Sequence, residues 1–478
     1  MEAVLSAKDE KLYERLAFKI HRWVEQGTLK PGEKIPSVRA MSLQQRVSVS
    51  TVLQAYFLLE NQGVIEARPQ SGFYVRALLK DLPPEPSVSK VSQSTVKVGV
   101  SDLVSRVYEA VRRPDVVPLG AAAPSPDLLP TVSLHRKIAL ASRRFAKAGI
   151  SYDPPPGNEA LRHQIARRSI EWGGTLSPDK IVTTCGGMEA LNLCLRAVAR
   201  SGDTVAIESP TYYGVLQAME SLGIKVVEIP THPKDGASLS DLKLILKKHK
   251  LKACLMIPNF NNPLGSCMPE ENKKELVKML SRERVPLIED DIYGDLYFGA
   301  LRPKPAKAFD RDGWVMLCSS FSKTLAPGYR VGWVAAGRFQ AEIERLKFIN
   351  TVATATLPQI AIADFLETGG YDRHLRKLRR AFASQVQRVT EAIHRYFPKG
   401  TRVTRPQGGF VLWVELPPSV SSLDLHHKAL KEGISIVPGP IFSPSQKYLN
   451  FIRLNCGHPW SERMEAALKT LGGLAGGL

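Results

Sequence analysis

The sequence predicts a multidomain chain. A small helical domain closed by a β-hairpin comes first, then a large α/β domain with a mostly parallel sheet, then a smaller α+β domain. Three observations carry this. At 478 residues the chain is too long for one small core. Its first 76 residues show three helical stretches followed by a strand–turn–strand pattern. Beyond a Pro- and Ser-rich stretch, short β-branched runs alternate with helical ones, as parallel strands covered on both faces do.

Taken in order, residues 9–26 place Leu12, Leu16, Ile20, Trp23 and Val24 at helical spacing. The breaker-rich GTLKPGEKIPS follows. Ser37 caps a short helix reaching about Gln45, and Ser48 caps a second that puts Val52, Ala55, Tyr56 and Leu59 on one face. VIEARPQSGFYVRA alternates apolar and polar residues around a Pro-Gln-Ser-Gly turn. Three helices and a hairpin outline a winged helix-turn-helix over 1–76. Residues 77–100, with DLPPEPSVSKVSQSTVK, lack an apolar period and read as a flexible linker. The large domain is expected over 101–370, with IVTT, TVAIES, KVVEIP, ACLMIP, PLIED, VMLCSS and VGWVAA as strands. From about Tyr371 the chain turns helical and basic. FVLWVEL and YLNFIRLNC are strand-like, so 371–478 is expected to form the smaller domain.

Hydrophobic residues at 44% and charged residues at 23% fit a globular protein. The six cysteines have neither metal-knuckle nor C-x-x-C spacing, which favours buried, reduced thiols in a cytoplasmic protein. The N-terminal MEAVLSAKDEKLYERL lacks a signal peptide's apolar core. No run approaches the roughly 18 apolar residues of a membrane helix, so no membrane partner is expected. The histidines do not cluster, and the pair at 426–427 reads as a solvated helix face, so no metal is expected. The formal charge of +19 is spread along the chain: residues 1–80 hold 12 Lys and Arg against 8 Asp and Glu. It favours nonspecific attraction to polyanions without locating a site.

SSFSKTLAPGYRVGW sets Lys323 among small and hydroxylated residues, with Arg330 seven positions on. A lone lysine in such a setting is usually a surface residue. A lysine that forms a Schiff base must lose its proton often enough to attack a carbonyl. The matching cofactor, pyridoxal 5'-phosphate, makes further demands. Its phosphate wants helix N-terminal N–H groups, hydroxyls and an arginine. Its ring nitrogen wants a carboxylate, its ring face an aromatic, and its O3' hydrogen-bond partners. TTCGGMEALNL offers the N–H groups of Gly187 and Met188, SPTYYGV offers Tyr212, and NNPLG offers Asn262. EDDIYGD offers Asp290 and Tyr293, and SSFSK offers Ser320 beside Lys323. Each candidate lies just past a predicted strand, where open α/β sheets bind ligands.

In this order the motifs resemble the fold-type-I aminotransferases over residues 115–478. The resemblance implies that Lys323 is the Schiff-base lysine, Asp290 the partner of the pyridinium nitrogen, and Tyr293 with Asn262 the partners of O3'. It makes Tyr212 the stacking ring, and Ser320 and Arg330 phosphate ligands. Arg453, in NFIRLN, would bind a substrate α-carboxylate through its fork of donors. SYDPPPGNEALR resembles the segment whose tyrosine, here Tyr152, reaches the neighbouring subunit's phosphate, which implies a homodimer. The chain departs from the family at Leu264, where Thr is usual, and at Met188, where a polar residue is common. Both departures bear on substrate handling.

KIPSVRAMSLQQRVSVSTVLQAYFLLENQGVIEARPQSGFYV resembles the GntR-type winged helix. Chains that join it to an aminotransferase-like domain resemble the MocR subfamily of transcriptional regulators. In a helix-turn-helix the second helix enters the major groove, here with Ser48, Val49, Ser50 and Thr51 near base edges. Arg39 would reach a phosphate, and Arg68 and Gly72 lie on the wing. Many members carry arginine where this chain has Val49 and Leu53. Base readout would then rest on hydroxyls, thymine methyls and the wing. The partners implied are a double-stranded DNA operator and a small amine or amino-acid effector. A ligand-responsive regulator with weak or no transamination is therefore expected. A working aminotransferase with an accessory domain, a regulator sensing only the cofactor, and a winged helix used for protein contacts are the alternatives.

Overall fold

The computed structural model describes residues 11–30, 32–61, 64–68, 71–75, 82–88, 91–111, 115–153 and 155–477, the side chains of 61, 68 and 109–111 apart. The chain divides at Leu82 and Pro83 into two compact units.

In the first unit α1 (Leu12–Glu25) buries Leu16, Ala17, Ile20 and Val24. Leu12, expected on that face, is 61% exposed at the helix start. The Ser37 hydroxyl accepts the Ala40 N–H at 3.2 Å and caps α2 (Val38–Gln45). Ser48 caps α3 (Val49–Asn61) through the Thr51 N–H at 3.1 Å. The inward face of α3 carries Val52, Ala55, Tyr56 and Leu59, all fully buried. Strands β1 (Ile65–Arg68) and β2 (Gly72–Val75) pair antiparallel, Ile65 opposite Val75.

The second unit is built on a nine-stranded sheet. Besides the short Gly236–Ala237 strand that pairs with Lys225–His232, the elements used below are, in chain order, β3 (Val96–Lys97), α4 (Ser101–Val111), β4 (Ile181–Thr184), α5 (Gly187–Val198), β5 (Thr204–Ser209), α6 (Tyr213–Ser221), β6 (Lys225–His232), β7 (Leu251–Met256), β8 (Leu287–Asp290), β9 (Val315–Ser320) and β10 (Gly332–Ala335). Its main path runs β3-β6-β5-β7-β8-β9-β10-β4. From β6 to β9 the neighbours are parallel, and the seven expected strands all occur. β10 runs antiparallel to both neighbours. The short 321–331 connection has no room for the crossover helix that a parallel return requires. It holds Lys323 and Arg330.

The long helix α7 (Gly370–Tyr396) opens the C-terminal region. A four-stranded antiparallel sheet follows: β11 (Arg402–Val403), β12 (Val411–Glu415), β13 (Val437–Pro438) and β14 (Phe451–Asn455), ordered β11-β12-β14-β13. β12 and β14 are the two strands expected. The other two, of two residues each, are too short to show a period.

Two expectations are corrected. The stretch 77–100 does not behave as a free tether where it is described. The Pro84 carbonyl accepts the Val403 N–H at 2.9 Å, the Gln93 carbonyl meets His249 Nε2 at 2.8 Å, and β3 pairs with β6. Val100 is fully buried in the core. This segment is held by its backbone groups and, at its end, by the alternating Val96, Val98 and Val100, a run too short to stand out from the Pro- and Ser-rich residues before it. The remainder of the expected linker, residues 77–81 and 89–90, lies outside the described residues. His426, read as solvated, is buried instead, its Nδ1 3.0 Å from the Ile436 carbonyl. Among the described residues no group of His, Cys, Asp and Glu is arranged to hold a metal, and no helix is long and apolar enough to cross a membrane.

Candidate functional site

The C-terminal ends of five strands of the large sheet converge on a cavity of about 290 Å³. β4 leads through a glycine turn into α5, β5 ends three residues before Tyr212, and β7 runs into the loop carrying Asn262. Asp290 closes β8, and Lys323 follows β9 by three residues. Gly187, Met188, Tyr212, Asn262, Asp290, Tyr293, Lys323 and Arg330 all line this cavity.

Its charges are tuned by one another. Lys323 Nζ donates to the Ala122 carbonyl at 2.6 Å. Burial, followed by the cations Arg453 and Arg330, pushes the Lys323 amine down to about 8, against the pull of Asp290. Burial pushes the Asp290 carboxyl up to about 7, opposed by the Ile292 N–H at 3.2 Å and by Lys323. A cationic N–H donor in the cavity would favour its ionised form. Asn262 Nδ2 donates to the Tyr293 hydroxyl at 3.2 Å, and burial raises the Tyr293 phenol well above its ordinary value.

The first turn of α5 forms a cradle. Gly186 precedes it at φ +80°, and a Cβ there would run into the Arg330 guanidinium. Arg330 Nη2 donates to the Cys185 carbonyl at 3.2 Å, and its Nη1 lies 3.4 Å from the Ser322 hydroxyl. Glu189 braces the turn, accepting from the Cys185 N–H at 2.6 Å and from Lys347 at 2.7 Å. Uncapped N–H groups beside a guanidinium suit an anion such as a phosphate.

In the first unit Arg39, Ser48, Val49 and Ser50 are exposed and Thr51 is half-buried. The Ser48 hydroxyl, besides capping α3, bonds the Ser50 and Thr51 hydroxyls, each at 2.8 Å. Gly72 opens β2 at φ +106°, a conformation that favours glycine. The Arg68 side chain lies outside the described residues.

The family of class I and II aminotransferases matches residues 115–471. The gntR family of bacterial regulatory proteins matches residues 12–75. The HTH-type transcriptional regulator YdcR of Escherichia coli strain K12 is 42% identical over 464 residues, 97% of this chain and 99% of its own. This chain belongs to the gntR-type regulators fused to a class I and II aminotransferase domain. That is the two-module organisation of the MocR regulators, and the chain is a DNA-binding transcriptional regulator. Its larger module resembles the Pyrococcus horikoshii kynurenine aminotransferase solved with PMP, with TM-score 0.74, 28% identity, and coverage of 78% of this chain and 94% of that one. It also resembles Thermus thermophilus LysN, an α-aminoadipate aminotransferase complexed with N-(5'-phosphopyridoxyl)-L-leucine. There the TM-score is 0.72 at 27% identity, over 80% of this chain and 99% of that one. The family and these neighbours imply pyridoxal phosphate as the regulator's cofactor.

Three predicted site residues of this regulator stand off the cavity wall. Ser320 lies one layer back, donating to the Ser322 hydroxyl at 2.7 Å, and Ser322 is the one that faces the cavity. Arg453, fully buried, stands behind Asn262, donating to its Oδ1 at 3.2 Å and to the Gly120 carbonyl. Its Nε has no partner. Tyr152 is 83% exposed and does not line the cavity of its own chain. Sequence reasoning missed Tyr108 and Tyr213, whose rings pack edge-on at 6.1 Å on the cavity wall. It also missed Glu208, buried at the end of β5, whose Oε2 accepts the Ile257 N–H at 2.7 Å and Asn261 Nδ2 at 2.8 Å. Glu208 thereby fixes the loop carrying Asn262. A glutamate inside the apolar run TVAIES was the available signal.

Proposed function

We propose that the cavity holds pyridoxal phosphate on Lys323 and that capture of an amine or amino acid there is the signal this regulator passes to DNA. One observation carries the reading: a lysine of depressed basicity, a buried aspartate and an arginine-flanked helix start surround one cavity, in a chain that also has a recognition helix. The residues fit the cofactor. The α5 turn, Ser322 and Arg330 suit its phosphate, Asp290 its ring nitrogen, Tyr212 its ring face, and Tyr293 with Asn262 its O3'. The unpaired, buried Arg453 Nε is a donor suited to a carboxylate. When bound, the cofactor would supply an electrophilic carbon to which Lys323 or another amine can bond. Arg453, through its Nε, would be the residue to hold a carboxylate, and the Lys323 amine would be the group to hold a proton.

α4 carries Tyr108 at the cavity and begins four residues after β3 ends. Its first N–H groups are held by Glu220, which accepts from Val100 at 2.9 Å and Ser101 at 3.0 Å. The element leading away from the DNA-binding unit therefore also walls the cavity. Only a ligand with different affinities for two states of this wall can shift DNA binding.

The depressed Lys323 basicity fixes a pH dependence. Only the neutral amine attacks, so the rate at which apoprotein captures pyridoxal phosphate should rise about tenfold per pH unit below pH 8 and level off above it. Stopped-flow absorbance checks this, and a pH-independent rate from pH 6 to 9 would contradict the assignment. The aminotransferase reading is favoured by the same lysine, which is poised as a general base. Turnover with common amino donors and keto acids should nevertheless be slow or undetectable. Turnover near about 10 per second, the ordinary enzyme median, would put catalysis first.

A further inference from the structure

We propose that the recognition helix of this regulator reads an A·T pair, with the Val49 side chain packed on the thymine methyl. The inference rests on the DNA-binding reading and adds the base class. Helix α3, VSTVLQAYFLLEN, contains no lysine or arginine. The commonest specific base contact, arginine to guanine, is therefore not available to this helix. Its one acid, Glu60, is engaged in the fold, accepting the Ala67 N–H at 3.1 Å. The Ser48 hydroxyl is occupied by the helix cap and by its bonds to Ser50 and Thr51. The inward face belongs to the buried core.

Val49 has none of these duties. It is the first residue of α3 and 47% exposed, an apolar branched side chain where the helix meets base edges. In the major groove the one apolar group on a base edge is the thymine C5-methyl. Arg39, exposed on α2, suits the phosphate backbone, which adds affinity without selecting sequence. The methyl contact is thereby the apolar part of the readout, beside the exposed Ser50 and Gln54 of the same helix, whose polar groups also suit an A·T pair.

The test uses the full-length protein loaded with pyridoxal phosphate and duplexes it selects from a random pool. Each thymine is then replaced by deoxyuridine, which removes only the methyl. At one position per half-site the wild-type protein should lose about fourfold in affinity, the order expected for unburying one methyl group. Val49→Ala, folded as judged by circular dichroism, should show no loss there, and Val49→Arg should shift preference at that position to guanine. Specific binding that no uracil substitution weakens would overturn the proposal, as would unchanged uracil sensitivity in Val49→Ala. If no sequence is selected at all, the DNA-readout reading fails and the proposal fails with it.

Discussion

Wild-type protein with bound pyridoxal phosphate will be yellow, and borohydride will bleach it and leave a pyridoxyl group on Lys323, whereas Lys323→Ala protein treated alike will carry none in the cavity. The difference should be complete because the other polar groups on the cavity wall are not amines. Asp290, Asn262, Tyr293 and Ser322 offer oxygens and an amide, and Arg330 offers a delocalised guanidinium rather than an amine. The variant should still bind the cofactor noncovalently through the α5 turn and Arg330, and should stay folded. Removing the ammonium also relieves the charge placed near Arg453 and Arg330. Peptide mapping decides the matter, and an adduct on any other lysine would overturn the assignment.

The second large effect concerns DNA. If Tyr152 serves a partner subunit, each assembly delivers two recognition helices. Binding to the second half-site is then intramolecular, and a duplex with two half-sites should be held about 10²–10⁴ times more tightly than one with a single half-site. The anchored segment makes this gain depend on spacing. A 24-residue coil would reach about 27 Å and forgive most separations. With residues 83–88 and 91–100 held within the second unit, the reach of a 24-residue coil does not apply. Inserting about 5 base pairs, half a helical turn, should therefore return the affinity toward the single-site value. Gel-shift titrations on one-site, two-site and spacing-shifted duplexes measure it. Equal affinity for all three would rule the bivalent arrangement out.

What the sequence determined by itself is local. Ser37 and Ser48 announce helix starts because a hydroxyl caps N–H groups within three residues. The seven β-branched runs announce the sheet because a doubly covered strand must be apolar on both faces. The motifs at their ends locate the cavity because strand ends are where loops of an α/β sheet meet. What only the tertiary structure decided depends on partners far along the chain. Ser320 and Ser322 are chemically alike, and the packing of the 321–331 connection selects Ser322 for the cavity. Arg453 is withdrawn behind Asn262 by the Gly120 carbonyl, more than three hundred residues away. The Pro- and Ser-rich stretch is pinned by Val403, His249 and β6, although before Val96 its own residues carry no periodic signal. Backbone groups bond to whatever polar partner the fold presents, so an aperiodic sequence does not reveal where its hydrogen bonds will go.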